Sequence, residues 1–359
     1  MKLGKIDEAL RSSGPFLTVY MDVSRDMTPA AHELEVRWRS TAEELMSQGA
    51  PAGLVERVGE RMTEPTRWPA PVGRIIVAAG EAIVLDRVQA AVPSREVVAW
   101  GPLPDVTSWL VDADGCRSLL LVLADRLGAD LELYDSWPGQ PSGHTTINGE
   151  DLHLTKIPAG DWAHKEYQRR TEEVWRRNAR RVADLIDRNA RDGIDVIALA
   201  GDVRACGEIR DAVSTTAQER LVEVKHGGRA PGSSRASLDA DLHDVLRDHV
   251  VAERLSLVRE VEQRRGRDEA IAMGIPDALD SLVNGQADRV LLAPEVAAAH
   301  TVRPSRYPGL PLPQPALDAD ELRADLVLVG AAAATDAEVV VTAPQALPDD
   351  GVTALLRWD

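Results

Sequence analysis

The hydrophobic and polar positions of the chain change their period several times. Short apolar runs at residues 17–22 and 75–79 have the length and the Val/Ile content of buried strands. Residues 30–47 and 53–62 instead place apolar side chains at the three- and four-residue spacing of amphipathic helices. Strands that alternate with helices predict an α/β fold in which sheets are covered by helices.

The pattern predicts three α/β domains, at residues 1–115, 116–245 and 246–359. In the middle domain, the polar and Pro/Gly-rich residues 135–162 predict a long loop, and residues 225–241 predict a second mobile segment.

The last domain is predicted to open with a helix at residues 248–264. A second helix is expected at residues 275–285, because Pro276 suits a first helical turn and Gly285 suits a helix end. Two further features are expected, namely buried strands at 289–295 and 325–330 and an exposed Pro-rich insertion at 305–321.

The basic segment at residues 163–188 carries the most informative pattern. On a helical wheel, one arc collects the side chains expected to be buried, namely Tyr167, Thr171, Val174, Trp175, Val182, Leu185 and Ile186. Two cationic stripes lie outside that arc: Lys165, Arg169, Arg176 and Arg180 form one, and Arg170, Arg177 and Arg181 form the other.

The charge of this helix differs in sign from the charge of the chain. Residues 164–181 carry seven Lys/Arg against three Glu, a balance of +4, whereas the whole chain is −17. Cations gathered on one helix of an acidic protein indicate a polyanionic partner, with RNA phosphates as the main candidate. Intrahelical ion pairs such as Arg169–Glu173, on a merely solvated helix, explain the pattern equally well.

The cysteine count and the hydrophobic pattern argue against several classes of protein. Cys116 and Cys206 are the two cysteines and form no CxxC motif, so neither a disulfide framework nor a zinc site is expected. No run of about 18 apolar residues is present, and the charged first residues do not resemble a signal peptide. A cytoplasmic protein is therefore expected.

Common catalytic signatures are missing from the sequence. It contains no GxxxxGK[ST] loop, no GxGxxG after a strand and no GxSxG elbow. Its histidines do not show a metal-ligand spacing, and no cofactor is expected. Asp202 follows an apolar run and is interpreted as a loop or helix-cap residue rather than as a catalytic carboxylate.

The order of these segments resembles the archaeal and eukaryotic class-I peptide release factors and their Pelota-like relatives. Residues 118–135 look like the first hairpin of the family's central domain, and residues 196–209 look like its later strand and helix. Residues 351–358 resemble the family's closing segment. In these proteins a GGQ tripeptide precedes a helix rich in Arg and Glu; here the matching residues are Ala159, Gly160 and Asp161, followed by Trp162.

The resemblance implies a release-factor-like, tRNA-mimicking arrangement of the three α/β domains, and it is closest to bacterial members without GGQ, which include the hibernation factor Balon and its actinobacterial relatives. Because the GGQ glutamine is replaced by Asp161, hydrolysis of peptidyl-tRNA is not expected. The family's codon-reading NIKS tetrapeptide is also absent. A tRNA mimic that lacks both motifs is expected to occupy the ribosomal A site and to block translation.

The resemblance also assigns residues and partners. The expected RNA contacts are Lys165, Arg169, Arg176, Arg177, Arg180 and Arg181. The central loop is expected to be mobile in the free protein and to reach the peptidyl transferase centre with Lys156, Ala159, Gly160, Asp161 and Trp162. Ribosomal RNA and EF-Tu are the implied partners. Two alternatives stay open: a rescue factor that cleaves peptidyl-tRNA through a nonstandard residue, and a ribosome-independent stress protein.

Overall fold

The computed structural model describes residues 14–25, 28–66, 68, 70–149, 161–229, 234–267 and 269–358, with the backbone alone for residues 28–31, 161–171 and 346. These residues form two compact units. One unit contains residues 1–115 together with 253–359, and the other contains residues 116–252.

The first part of the chain forms an antiparallel sheet with helices packed on both faces. Its elements are β1 (Phe16–Asp22), α1 (Thr28–Ser47), α2 (Ala52–Met62), β2 (Gly73–Ala79), β3 (Ala82–Gln89), β4 (Val97–Gly101) and α3 (Thr107–Ala113). The strand order is β3-β2-β1-β4. Leu45 and Val58 of the two helices pack on Leu17 and Ile76 of the sheet, so the predicted strands and amphipathic helices of this region are confirmed.

The central unit is built on a five-stranded mixed sheet. Its elements are β5 (Arg117–Asp125), β6 (Gly128–Trp137), β7 (Gly143–Asn148), α4 (Asp161–Arg191), β8 (Val196–Gly201), α5 (Val203–Ala212), α6 (Thr215–Gln218), β9 (Leu221–Glu223) and α7 (Arg235–Arg267), of which the residues up to Ala252 belong to this unit. The order is β7-β6-β5-β8-β9. β5, β8 and β9 run parallel, whereas β6 and β7 are antiparallel to their neighbours.

Both faces of the central sheet are buried. Val182 and Ile186 of α4 and Ile209 of α5 pack on one face against Val122. On the other face, Leu238, Leu242 and Leu246 of α7 pack against apolar residues of the sheet. This two-sided burial explains why β5 and β8 have continuous apolar sequences rather than alternating ones.

The remaining part of the chain forms a second four-stranded sheet within the first unit. Its elements are β10 (Ile271–Met273), α8 (Ile275–Val283), β11 (Ala287–Leu292), α9 (Pro294–Ala297), β12 (Thr301–Val302), α10 (Gln314–Leu317), β13 (Leu322–Arg323), α11 (Ala324–Ala334), β14 (Glu338–Val341) and β15 (Val352–Leu356). The order is β10-β15-β11-β14, and β12 pairs with β13 separately. Pro276 lies in the first turn of α8, as predicted.

One hydrophobic core joins the two sheets of the first unit. Phe16 and Tyr20 of β1 belong to the same buried cluster as Leu279 of α8 and Val327 of α11. A buried polar contact accompanies it, because Thr107 Oγ1 donates to Asp325 Oδ2 over 2.8 Å. Residues from the first and the last predicted domain therefore share one core.

Four sequence predictions are corrected by these elements. The predicted loop at 135–162 contains the end of β6 and all of β7, because the polar Gly143–Asn148 segment forms an edge strand that does not need apolar residues on both faces. The predicted mobile segment at 225–241 already enters α7 at Arg235.

The other two corrections concern the last part of the chain. Residues 325–330 were expected to form a strand but belong to α11, since a short apolar run suits a buried helix as well as a buried strand. Residues 305–321 were expected to be exposed, yet Leu310 and Ala316 are buried in the core.

Candidate functional site

Helix α4 presents one apolar face to the central sheet. Its buried residues recur at intervals of three and four, as an amphipathic helix requires, and they are Asn178, Ala179, Val182, Ala183, Ile186 and Ala190. Val182 and Ile186 were predicted on this face and are confirmed there. Val174, Trp175 and Leu185 are only partly buried, and the side chains of Tyr167 and Thr171 lie outside the described residues.

The opposite face of α4 carries four exposed arginines from the two predicted stripes. Arg176, Arg177, Arg180 and Arg181 all have exposed side chains. The Arg176 side chain is 63% exposed, and its Nε atom lies 3.6 Å from Oε2 of Glu208 in α5. Among the described residues, Arg180 has no ion-pair partner. The structure thus brings these four predicted residues together on one solvent-facing surface, which we call the α4 arginine surface.

Other predicted site residues lie outside the description of side chains. Lys165 and Arg169 belong to the first turns of α4, and Asp161 and Trp162 begin the helix, but the structure describes only their backbone. Lys156, Ala159 and Gly160 fall outside the described residues. Their assignment to RNA contact or to the peptidyl transferase centre stays a prediction.

An arginine–tryptophan cluster adjoins the α4 arginine surface and was not predicted from the sequence. The Arg126 Cζ atom lies 4.7 Å from the centroid of the Trp175 ring, and the Arg204 Cζ atom lies 5.1 Å from it. Arg126 follows β5, and Arg204 lies in the first turn of α5. Arg126 lies 49 positions before Trp175 in the chain, and Arg204 lies 29 positions after it. The parallel pairing of β5 with β8 brings the two arginines to the same edge of the sheet.

Asp202 organises the start of α5 beside this cluster. Its Oδ1 atom accepts hydrogen bonds from the backbone N–H groups of Arg204 and Ala205, each over 3.0 Å, which confirms the helix-cap interpretation. Burial alone raises the pKa of the Asp202 carboxyl. The Ala205 N–H bond and the Arg126 guanidinium outweigh that effect, so its pKa lies below the ordinary value.

A second arginine, Arg229, connects the end of β5 with β6 and with the end of β7. Arg229 donates to Asp130 and to Asp125, each over 3.0 Å, and to Asn148 at the end of β7 over 3.4 Å. Burial lowers the pKa of Arg229, but the two carboxylates more than compensate and raise it above the ordinary value. The structure thus places Arg229 in an internal ion network.

Asn178 of α4 contacts the turn that follows β5. Its Nδ2 atom donates to the carbonyl oxygen of Arg126 over 3.2 Å. A Cβ atom at Gly149 would lie 2.2 Å from the Asn178 side chain, so this close approach needs a glycine. The turn after β5 and the body of α4 are therefore held to each other through a buried polar side chain.

The described residues offer few other chemical sites. No group of three His, Cys, Asp or Glu side chains within them is arranged to hold a metal ion. Cys116 and Cys206 are free thiols, and burial raises the pKa of Cys206 to about 11, which disfavours the reactive thiolate. Within the same residues, no helix is long and apolar enough to cross a membrane.

Comparison with known proteins gives one family match. Residues 118–267 match the model described as bacterial archaeo-eukaryotic release factor family 2. The full chain is also 28% identical over 378 residues to the uncharacterized protein Rv2629 of Mycobacterium tuberculosis, with coverage of 100% of this chain and 97% of the relative.

Solved structures of translation factors resemble the chain distantly. The archaeal termination factor aRF1 is 14% identical, with 98% of this chain and 96% of that chain covered and a TM-score of 0.26. Dom34 of Saccharomyces cerevisiae is 11% identical, with 80% of each chain covered and a TM-score of 0.43. A ribosome-bound archaeal Pelota is 13% identical, with 99% and 92% covered and a TM-score of 0.37.

Proposed function

We propose that the protein binds the ribosomal A site and blocks translation during dormancy or stress, because residues 118–267 match the model of a bacterial archaeo-eukaryotic release factor family. This match supports a translation-related role. The finer assignment to hibernation, and the particular likeness to Balon, are part of the proposal. It includes ribosomal RNA as the main partner, EF-Tu as an associated protein and the cytoplasm as the location.

The observation that supports this proposal most strongly is the α4 arginine surface. Four guanidinium groups face solvent on one helix of a chain whose net charge is −17. A general attraction to polyanions is not expected from such an acidic protein, so the four cations are expected to act at one face. Planar guanidinium groups suit the bidentate contacts that phosphate oxygens accept.

We expect ribosome binding to depend on this surface. Arg180→Glu combined with Arg181→Glu replaces two cations by two anions on the exposed face of α4, so co-sedimentation with ribosomes should fall at least tenfold. The matched control is Arg247→Glu combined with Arg259→Glu, which makes the same change of charge at two exposed positions of α7. The control should sediment with ribosomes as the wild-type protein does.

The interpretation of that experiment depends on intact folding. Both substituted α4 positions are exposed, so the circular dichroism spectrum and the unfolding midpoint of the double variant should match those of the wild-type protein. Equal loss of binding in the α7 control would indicate a nonspecific effect of charge. Undiminished co-sedimentation of the α4 variant would exclude this surface as the ribosome contact.

We further propose that the protein blocks the A site without catalysing peptide release. Asp161 stands where the family glutamine positions water, and one glycine is present instead of two. Stoichiometric inhibition of A-site tRNA binding is expected, with no multiple-turnover hydrolysis of peptidyl-tRNA on programmed ribosomes. Release of labelled peptide at substoichiometric protein would favour the rescue-factor alternative instead.

A further inference from the structure

One face of helix α7 carries apolar side chains on its solvent side. Val251 and Leu255 are 47% and 52% exposed, and Val258 is partly exposed. On a helical wheel these three side chains share an arc. That arc lies opposite the buried residues of the same helix, which are Leu242, Leu246, Val250, Leu257 and Val261. Single exposed apolar side chains are common, but three on consecutive turns of one helix face indicate a contact surface.

The residues around this apolar face have the spacing that a pair of helices requires. Alternating steps of four and three residues connect seven positions, which we call the α7 stripe: Asp244, Asp248, Val251, Leu255, Val258, Glu262 and Arg265. A hydrophobic period of about 3.5 residues keeps one narrow face of a helix directed at a partner helix. The α7 stripe lies wholly within α7, and at about 1.5 Å per residue it is about 32 Å long.

The two ends of the α7 stripe carry charges of opposite sign. Residues 244–248 contain two Asp against one Arg, a balance of −1, whereas residues 259–265 contain three Arg against two Glu, a balance of +1. The Asp248 side chain is 78% exposed, and Arg265 is exposed as well. A parallel partner helix of the same sequence would place like charges together. An antiparallel partner would place the acidic end of one helix against the basic end of the other.

A self-complementary stripe of this kind fits a second copy of the same chain. In a dimer with a two-fold axis each copy contributes the same surface, so every contact occurs twice. We propose that the α7 stripes of two copies pair in antiparallel orientation, with the central Leu255 of each copy beside the other and Asp248 of each copy near Arg265 of the other. Three apolar side chains per copy make a small interface, so the dimer is expected to be weak and to depend on concentration. This dimer does not depend on the ribosome contact proposed for α4.

Sedimentation velocity of the full chain over a range of concentrations measures this self-association. The wild-type protein should shift from monomer towards dimer as its concentration rises. Leu255→Glu places two carboxylates together at the axis and should weaken the dimer at least tenfold, which corresponds to about 1.4 kcal/mol. Val36→Glu is the matched control, because it introduces the same charge at an apolar position of α1 that is 42% exposed, and it should change nothing. Both positions are exposed, so both variants should keep the wild-type circular dichroism spectrum.

Charge reversal tests the direction of the two helices. In the antiparallel pair, Asp248→Arg alone and Arg265→Asp alone each bring like charges together at both symmetry-related contacts, so each variant should dimerise more weakly than the wild-type protein. An equimolar mixture of the two variants restores opposite charges at both contacts, and it should form a heterodimer about as strong as the wild-type dimer. In a parallel pair, each single variant would associate as the wild-type protein does, because like charges already face each other there.

Each result either supports or overturns the antiparallel dimer. Loss of dimer in Leu255→Glu, together with recovery in the mixture of charge-reversed variants, would support it. A wild-type protein that stays monomeric at every concentration would overturn it, as would a Leu255→Glu variant that associates like the wild-type protein. A mixture that remains monomeric, or single charge-reversed variants that associate normally, would exclude the antiparallel arrangement.

Discussion

At the scale of single residues, Asp202 connects the start of α5 to the arginine–tryptophan cluster. Its carboxylate caps two backbone N–H groups of α5 and also lies 3.3 Å from Arg126. Asp202→Ala should lower the free energy of unfolding by about 1 kcal/mol, because alanine leaves those N–H groups without a side-chain acceptor. Urea denaturation at neutral pH measures the difference.

Asp202→Asn separates the cap from the charge. Asparagine caps helices about as well as aspartate, so this variant should keep most of the stability but lose the ion pair with Arg126. The lowered pKa of Asp202 sets the sign of the pH effect: its carboxylate stabilises the fold above the ordinary pKa of 3.8, and this contribution is lost as the pH falls through the folded-state pKa. The difference between wild type and Asp202→Asn should therefore shrink below that pH. A constant difference would show that the charge has no role.

Asp202 and Trp175 show which structural features the sequence could predict and which it could not. The cap role of Asp202 depends on its immediate neighbours, so the sequence predicted it correctly. The helical wheel placed Trp175 on the buried arc, yet the side chain is only partly buried. A helical wheel shows which residues share a face. How much of the Trp175 side chain is buried also depends on Arg126 and Arg204, which lie outside the helix.

At the scale of elements, long regular patterns predicted structure better than short or polar ones. The basic helix was expected at residues 163–188 and was found at Asp161–Arg191, since its period is sustained over many turns. The β7 strand was missed because GHTTIN has a single apolar residue, Ile147, and no alternation. Only its pairing with β6 makes it a strand.

The turn between β8 and α5 depends on a glycine. Gly201 has a φ of +130°, and a Cβ atom there would lie 1.9 Å from the carbonyl oxygen of Ala124. Gly201→Ala should therefore destabilise the central unit by roughly 1–3 kcal/mol, through backbone strain and displacement of β5. Thermal unfolding followed by circular dichroism measures this loss.

Gly207 provides a matched control for that substitution. It lies within α5, and the nearest atom to an added Cβ is the end of the Arg210 side chain at 3.9 Å. Gly207→Ala should raise the unfolding midpoint, because alanine favours a helix interior over glycine by roughly 0.5–1 kcal/mol. If both alanine variants shift the midpoint in the same direction, the strain assigned to Gly201 is wrong.

At the scale of the whole molecule, the proposed ribosome binding should be sensitive to salt, because a chain with a net charge of −17 would contact RNA through the α4 arginine surface. If the four described arginines each contact one phosphate, the logarithm of affinity should fall with a slope of about −3 against the logarithm of salt concentration. Raising monovalent salt from about 50 to about 200 mM should then weaken binding roughly 50-fold. A salt-independent affinity would contradict phosphate contact.

The strand order also decides when each unit becomes complete as the chain is synthesised from its N-terminus. In the first unit, β15 is the last described strand along the chain, yet it lies between β10 and β11 and pairs with both. In the central unit, β5 pairs with β8, and β6, β7 and α4 lie between these two strands in sequence. These elements must therefore be synthesised before the parallel pair can form. The central unit is therefore expected to fold during translation, ahead of the unit that surrounds it in sequence. A chain truncated before Val352 lacks the strand that pairs with both β10 and β11. Such an incomplete chain is expected to be degraded rather than to compete with the finished protein.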